Sequence, residues 1–167
     1  MKKPAVLLLA LVSTLVLFGC RNEATAGPDA APAVKADFRL KAVDGRTLGP
    51  KDFAGQVVVI DFWATWCGPC HIQARILEPL YREYKGRGVQ FLAANIGEDS
   101  ATVKEFLREK PIPYPVLLDP EDTISGKLGI QGLPTLMVVD KKGKVSYFRT
   151  GLADGETLRK VIKQAGA

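Results

Sequence analysis

The sequence predicts an α/β fold with a mixed central β-sheet flanked by helices, and three observations carry that prediction. Gln56 to Trp63, QVVVIDFW, is a continuous apolar, β-branched run, as a strand buried on both faces requires. Further apolar strand runs alternate with stretches of helical periodicity through the rest of the chain. The chain then closes as a hairpin followed by a helix, which places antiparallel strands beside parallel ones.

The elements follow in order. FRLKAV and RTL flank Asp44-Gly45, a hairpin turn signal near the start of the folded part. After the 56–63 strand, residues 69–85 form a helix, with Ile72, Ile76, Leu80 and Tyr84 at i, i+4 spacing as its core stripe. Pro79 lies inside it and is expected to kink it, because its ring clashes with the carbonyl four residues back. Residues 89–94 are a second core strand. Residues 100–110 are an amphipathic helix with Val103, Phe106 and Leu107 on one side. Residues 115–118 give a short strand, 123–128 a short helix and 135–139 a strand. Lys141-Lys142-Gly143 turns the chain into a strand over 144–149, and the final helix spans 156–164.

The 167-residue chain, 47% hydrophobic and 25% charged, is long enough for one domain with a real core. Its N-terminus is a separate matter. Met1-Lys2-Lys3 precedes an apolar run over 5–18 that is too short for a span of about 20 residues and suits a signal-peptide core. The run ends in Leu17-Phe18-Gly19-Cys20, which resembles the bacterial lipoprotein signal. That resemblance implies cleavage before Cys20 and a diacylglycerol anchor on its sulfur. Ala24-Thr25-Ala26 offers the alternative of an ordinary cleavage site and a soluble secreted or periplasmic protein.

The expected organisation is therefore a signal peptide over 1–19, a lipidated Cys20 with a flexible tether to 37, and a folded domain over 38–167. The tether lacks aromatic residues and any sustained apolar period, and spans roughly 20 Å. An odd thiol is a liability in an exported protein, and lipidation of Cys20 leaves Cys67 and Cys70 as one clean pair. The net charge of +5 falls to +3 without Lys2 and Lys3. Basic residues are scattered, with no stripe interleaved with aromatics, which argues against nucleic-acid binding.

Trp66-Cys67-Gly68-Pro69-Cys70-His71 carries the chemistry and admits four readings. A structural disulfide stabilises little across so short a loop. A zinc site lacks ligands, since His71 is the only histidine and sits too close to Cys70. Cys-x-x-Cys-His is also the attachment spacing of c-type haem, so an electron carrier stands as one alternative. Its distal ligand would have to be Met137, which falls in a core strand. The fourth reading is a redox-active dithiol after an apolar strand. A redox-silent binding module is the remaining alternative.

DFWATWCGPC, followed downstream by Gly132-Leu133-Pro134-Thr135, closely resembles the thioredoxin superfamily. The leading hairpin and the extra helix and strand at 100–118 look like its exported TlpA/ResA-like branch. The resemblance covers Phe38 to about Ala165. It implies a thioredoxin-like fold with an N-terminal hairpin and an inserted helix–strand unit, and no cofactor. It further implies thiol–disulfide exchange, with Cys67 as nucleophile and Cys70 as resolving thiol. The physical logic agrees, because a cysteine at a helix N-terminus faces unpaired N–H groups that favour thiolate.

Asp61, six residues before Cys67, stands where thioredoxin keeps its buried acid and would take the Cys70 proton. Pro134 resembles the family's cis-proline, leaving Leu133 to pair its backbone with an extended client segment. Gly68 and Pro69 shape the dithiol turn, and the Gly-Pro pair implies a reducing bias. Trp66 forms a docking rim beside the nucleophile, and His71 is expected to be an exposed helix residue that tunes the dithiol. The implied partners are exported proteins with disulfides, apocytochromes c among them, and a membrane thiol reductase as electron donor. A monomer held to a membrane of the cell envelope through its lipid is expected.

The chain departs from the branch at two points. Gln73 and Arg75 stand where Glu and Pro are usual, with the proline at Pro79 instead. Thioredoxin's lysine beside the buried acid is absent, with Ala93 near its place.

Overall fold

The computed structural model describes residues 35–167. The apolar N-terminal run, Cys20 and most of the tether lie outside the described residues. Among the described residues seven strands form one sheet, in the order β2 (Thr47–Leu48), β1 (Leu40–Ala42), β5 (Val116–Asp119), β4 (Val89–Ile96), β3 (Val57–Trp63), β6 (Thr135–Val139) and β7 (Val145–Thr150). β1 (Leu40–Ala42) and β2 (Thr47–Leu48) make the leading hairpin. Gly45 takes φ +92° at its turn, a conformation glycine adopts without a Cβ clash, while the Asp44 carboxylate accepts from the Arg46 N–H. Gly49 follows because the backbone there presses on Phe38, whose carbonyl oxygen would lie 1.8 Å from an added Cβ. A 3₁₀ turn over Pro50–Phe53 then leads into β3 (Val57–Trp63).

β3, β4 (Val89–Ile96) and β5 (Val116–Asp119) run parallel at the centre. β6 (Thr135–Val139) lies antiparallel to β3, and β7 (Val145–Thr150) antiparallel to β6. The inserted unit explains how the leading hairpin joins the sheet. Helix α2 (Ser100–Glu109) carries the chain from β4 to β5, and β5 supplies the edge against which β1 pairs antiparallel.

β3 is buried at every position, as its unbroken apolar run predicts. Odd-numbered Val57, Val59 and Trp63 face a core shared with α1 (Gly68–Tyr84), α2 and α4 (Gly155–Gln164), through Leu77, Leu80, Val103, Leu158 and Ile162. Even-numbered Val58, Ile60 and Phe62 face a second core with Phe38, Met137 and Leu128, the last just beyond α3 (Thr123–Lys127). Each fully buried Leu, Ile or Phe side chain contributes roughly 1.5–3 kcal/mol. Alternation puts Asp61 on the α1 side, in line with Val59 and Trp63.

One expectation about α1 needs correction. Its buried stripe is Cys70, Gln73, Leu77, Leu80 and Tyr84, not a line through Ile72 and Ile76. Ile72 is exposed and Ile76 only half-buried. The 3–4 spacing of the true stripe was hidden because one member is a polar glutamine. Pro79 lies inside the helix, which continues on both sides of it. Pro79 offers no N–H to the Arg75 carbonyl, and both residues lie on the exposed side of α1.

Candidate active site

β3 ends at Trp63, and four residues later Cys67 caps the N-terminus of α1. Its φ of −83° and ψ of 99° are those of an N-cap, and its sulfur accepts from the Cys70 N–H at 3.2 Å. Pro69 lies in the first turn, where its missing N–H costs nothing. Cys67 and Cys70 are joined by a disulfide of 2.01 Å. Cys67 is 4% and Cys70 2% exposed, so both members of the pair are nearly buried.

β6 approaches the same end of β3. Phe62 pairs with Thr135, which brings the preceding Leu133–Pro134 peptide to the end of β3 from which the chain leads to Cys67. That peptide is cis. Pro134 accepts from the Gly151 N–H at 2.8 Å, and Thr135 Oγ1 donates to the Gly132 carbonyl at 2.7 Å. Leu133 itself is half-buried. Around the pair, Trp66 is 73% exposed, and Ile72 and Leu152 are exposed as well. These three are the exposed large hydrophobic side chains among the described residues. Trp66 and Ile72 flank the dithiol along the chain, and Leu152 follows the Gly151 that holds Pro134.

Gln73 explains how Leu152 reaches this rim. Its side-chain oxygen accepts from the Ala153 N–H at 2.8 Å, and its amide nitrogen donates to the Ala153 carbonyl at 3.2 Å. A fully buried side chain thus pins the β7–α4 loop onto the first turns of α1. A glutamine in an otherwise apolar stripe was the available signal, but its partner lies 80 residues away.

Behind the dithiol, Asp61 is 3% exposed, and its Oδ1 has no hydrogen-bond partner among the described residues. Burial alone raises its carboxyl to about 7. The residue paired with Asp61 on β4 is Ala93, while Arg75 and Lys110 are the basic residues that line the cavity it faces. Asp61 and Cys70 line one cavity of about 320 Å³, with His71, Glu78, Phe106 and Tyr114. Burial, reinforced by Asp61 and Glu78, also pushes the Tyr114 phenol well above its ordinary value.

His71 differs from expectation. It is half-buried, its Nε2 lies 2.9 Å from the Thr65 carbonyl, and its ring packs on Phe106 at 5.3 Å. The nitrogen that an axial haem ligand would use is thereby engaged. Met137 is fully buried in β6 on the opposite face of the sheet. The Cys-x-x-Cys-His spacing is therefore not matched by a pair of haem ligands in space.

A sheet of this order, delivering a Cys-x-x-Cys disulfide to a helix N-terminus beside a cis-proline, defines a thioredoxin-like thiol–disulfide oxidoreductase. The chain belongs to the Redoxin family, matched over residues 26–162, and within the thioredoxin superfamily it is TlpA/ResA-like. It is 32% identical over 157 residues to the thiol-disulfide oxidoreductase ResA of Geobacillus thermodenitrificans, covering 94% of this chain and 89% of the relative. It is 30% identical over 148 residues to ResA of Bacillus subtilis, covering 87% and 80%. Among solved structures, a thioredoxin-family thiol:disulfide interchange protein of Chlorobium tepidum superposes with a TM-score of 0.70 at 27% identity. That match covers 82% of this chain and 98% of the other.

Proposed function

We propose that this oxidoreductase works outside the cytoplasm, held to a membrane through Cys20, and reduces disulfides of exported proteins, apocytochromes c among them. The observation that carries the reading is the placement of Cys67 as the N-cap of α1, with Cys70 opening on the cavity that Asp61 also lines.

Exchange then proceeds in two displacements. The Cys67 thiolate, favoured by the N–H groups and dipole of α1, attacks one client sulfur. The client's other sulfur leaves as thiolate and takes a proton, and a Cys67–client disulfide remains. Asp61 accepts the Cys70 proton, and the Cys70 sulfur attacks Cys67 and expels the second client thiolate. The client gains two electrons and two protons, and the protein ends as the Cys67–Cys70 disulfide. A membrane thiol reductase restores the dithiol. Trp66, Ile72 and Leu152 supply apolar contact for the client, and the Leu133 backbone, leading into cis-Pro134, pairs with its extended segment.

Equilibration with defined glutathione mixtures tests the direction. A reducing protein gives a potential near that of thioredoxin, roughly −270 mV, whereas a value near −120 mV would mark an oxidant and contradict the proposal. The anchor has its own test. Cys20→Ala is expected to release the domain from membranes or block its processing, and a mature wild-type protein beginning at Gly27 would contradict lipidation.

A further inference from the structure

Thr65 lies between β3 and Cys67, and every polar group it carries is engaged. Its N–H donates to Glu98 Oε2 at 2.7 Å, and its hydroxyl donates to Glu98 Oε1. Its carbonyl accepts from His71 Nε2 at 2.9 Å. Glu98 is steadied in turn by Asn95 Nδ2 at 2.7 Å, and Asn95 is fully buried in β4 opposite Trp63. The His71 ring rests on Phe106 of α2. The bridge from β3 to the nucleophile is therefore tied on one side to the β4–α2 loop and on the other to α1.

Ala64 is fully buried and its carbonyl accepts from the Cys67 N–H at 3.2 Å, but Trp66 stands largely in solvent and adds little packing, so the Thr65 bonds are the remaining hold on the middle of the bridge. The Glu98 carboxylate accepts two of these bonds from Thr65, which fixes both the backbone and the side chain at the middle of the bridge.

We propose that Glu98 and His71 are positioning residues for disulfide exchange, acting through Thr65 to hold Cys67 at the helix N-cap in line with an incoming client disulfide. The proposal rests on Cys67 being the attacking sulfur. A slack bridge would let the sulfur drift from the helix N–H groups and from the line of attack, and small misplacements of a reacting atom are costly in rate.

The test uses isosteric pairs in the purified full chain. Thr65→Val removes the hydroxyl and Thr65→Ser keeps it. His71→Phe keeps the ring on Phe106 but loses the donor, and His71→Gln keeps a donor without the ring. Three quantities are measured: the rate of Cys67 alkylation by iodoacetamide across pH, kcat and KM for insulin reduction, and thermal unfolding. Thr65→Val and His71→Phe are expected to slow alkylation at neutral pH and lower kcat about two- to ten-fold, the ordinary worth of one hydrogen bond. KM should change little, and Thr65→Ser and His71→Gln should recover most of the loss.

A wild type that reacts at Cys67, with alkylation unchanged in Thr65→Val and His71→Phe, would overturn this proposal alone. Losses that follow only the unfolding temperature, with no recovery by the conservative variants, would also overturn it, because that is the signature of a structural role. A wild type alkylated first at Cys70 would overturn the assignment of roles and this proposal together.

Discussion

Cys67→Ser is expected to leave the protein without measurable insulin reductase activity, while Cys70→Ser is expected still to attack clients but to accumulate them as mixed disulfides on non-reducing gels. The first outcome follows because no thiolate remains at the N-cap of α1 to begin the exchange. The second follows because the Cys67–client bond then has no internal thiol to displace it. The two variants fold alike in this account, since a disulfide closing so short a loop adds little stability. A Cys67→Ser protein that also traps clients through Cys70 would mean that both sulfurs are open to attack. That outcome would contradict a Cys70 lying behind Cys67.

Asp61→Asn is expected to separate catalysis from stability. Asp61 is buried on the α1 side of β3, and its carboxyl is raised to about 7 against roughly 3.9 in an unfolded chain. The folded state therefore holds on to the proton more tightly than the unfolded state. Below about pH 4 both states are protonated and Asp61 costs nothing electrostatically. As pH rises from 4 towards 7, the unfolded state ionises first and the folded state loses relative stability; above about 7 the loss is complete. Asp61→Asn removes that loss, so its stability advantage over wild type should be small at pH 4 and grow to a few kcal/mol by pH 8, read from urea denaturation at each pH.

Turnover should move the other way. Asn has the shape but not the base, so resolution of the mixed disulfide slows while the first attack by Cys67 is largely kept. The wild-type rise of the resolution rate through about pH 7 should vanish in the variant. Normal turnover in Asp61→Asn would remove Asp61 from the chemistry.

How far these features were legible depended on the range of the interaction that creates them. β3 could be read directly, because a strand covered on both faces must be apolar at every position, and QVVVIDFW is so apart from Gln56 and Asp61. The same run made Asp61 conspicuous. The N-cap position of Cys67 came through from the strand-to-helix switch at Cys-Gly-Pro-Cys, and the cis peptide before Pro134 only through the resemblance to the thioredoxin superfamily.

The stripe of α1 was misread because Gln73, a polar residue, holds a core position that only Ala153 can satisfy. Ile72 looked like core by spacing yet lies on the exposed rim with Trp66. The Glu98–Thr65 bonds cross 33 residues between a loop and a strand end, and no local period announces them. His71, adjacent to Cys70, was noticed, but its engagement depended on Thr65 and Phe106 being brought to it. Patterns set by backbone geometry could thus be read, while contacts made by two distant loops could not.

The central claim is that Cys67, capping α1, is the attacking thiolate and Cys70 the shielded partner. Brief treatment of the fully reduced protein with limiting iodoacetamide at pH 7, followed by mass mapping of the labelled peptide, tests it directly. Label is expected on Cys67 with Cys70 spared; label found first on Cys70 would contradict these roles.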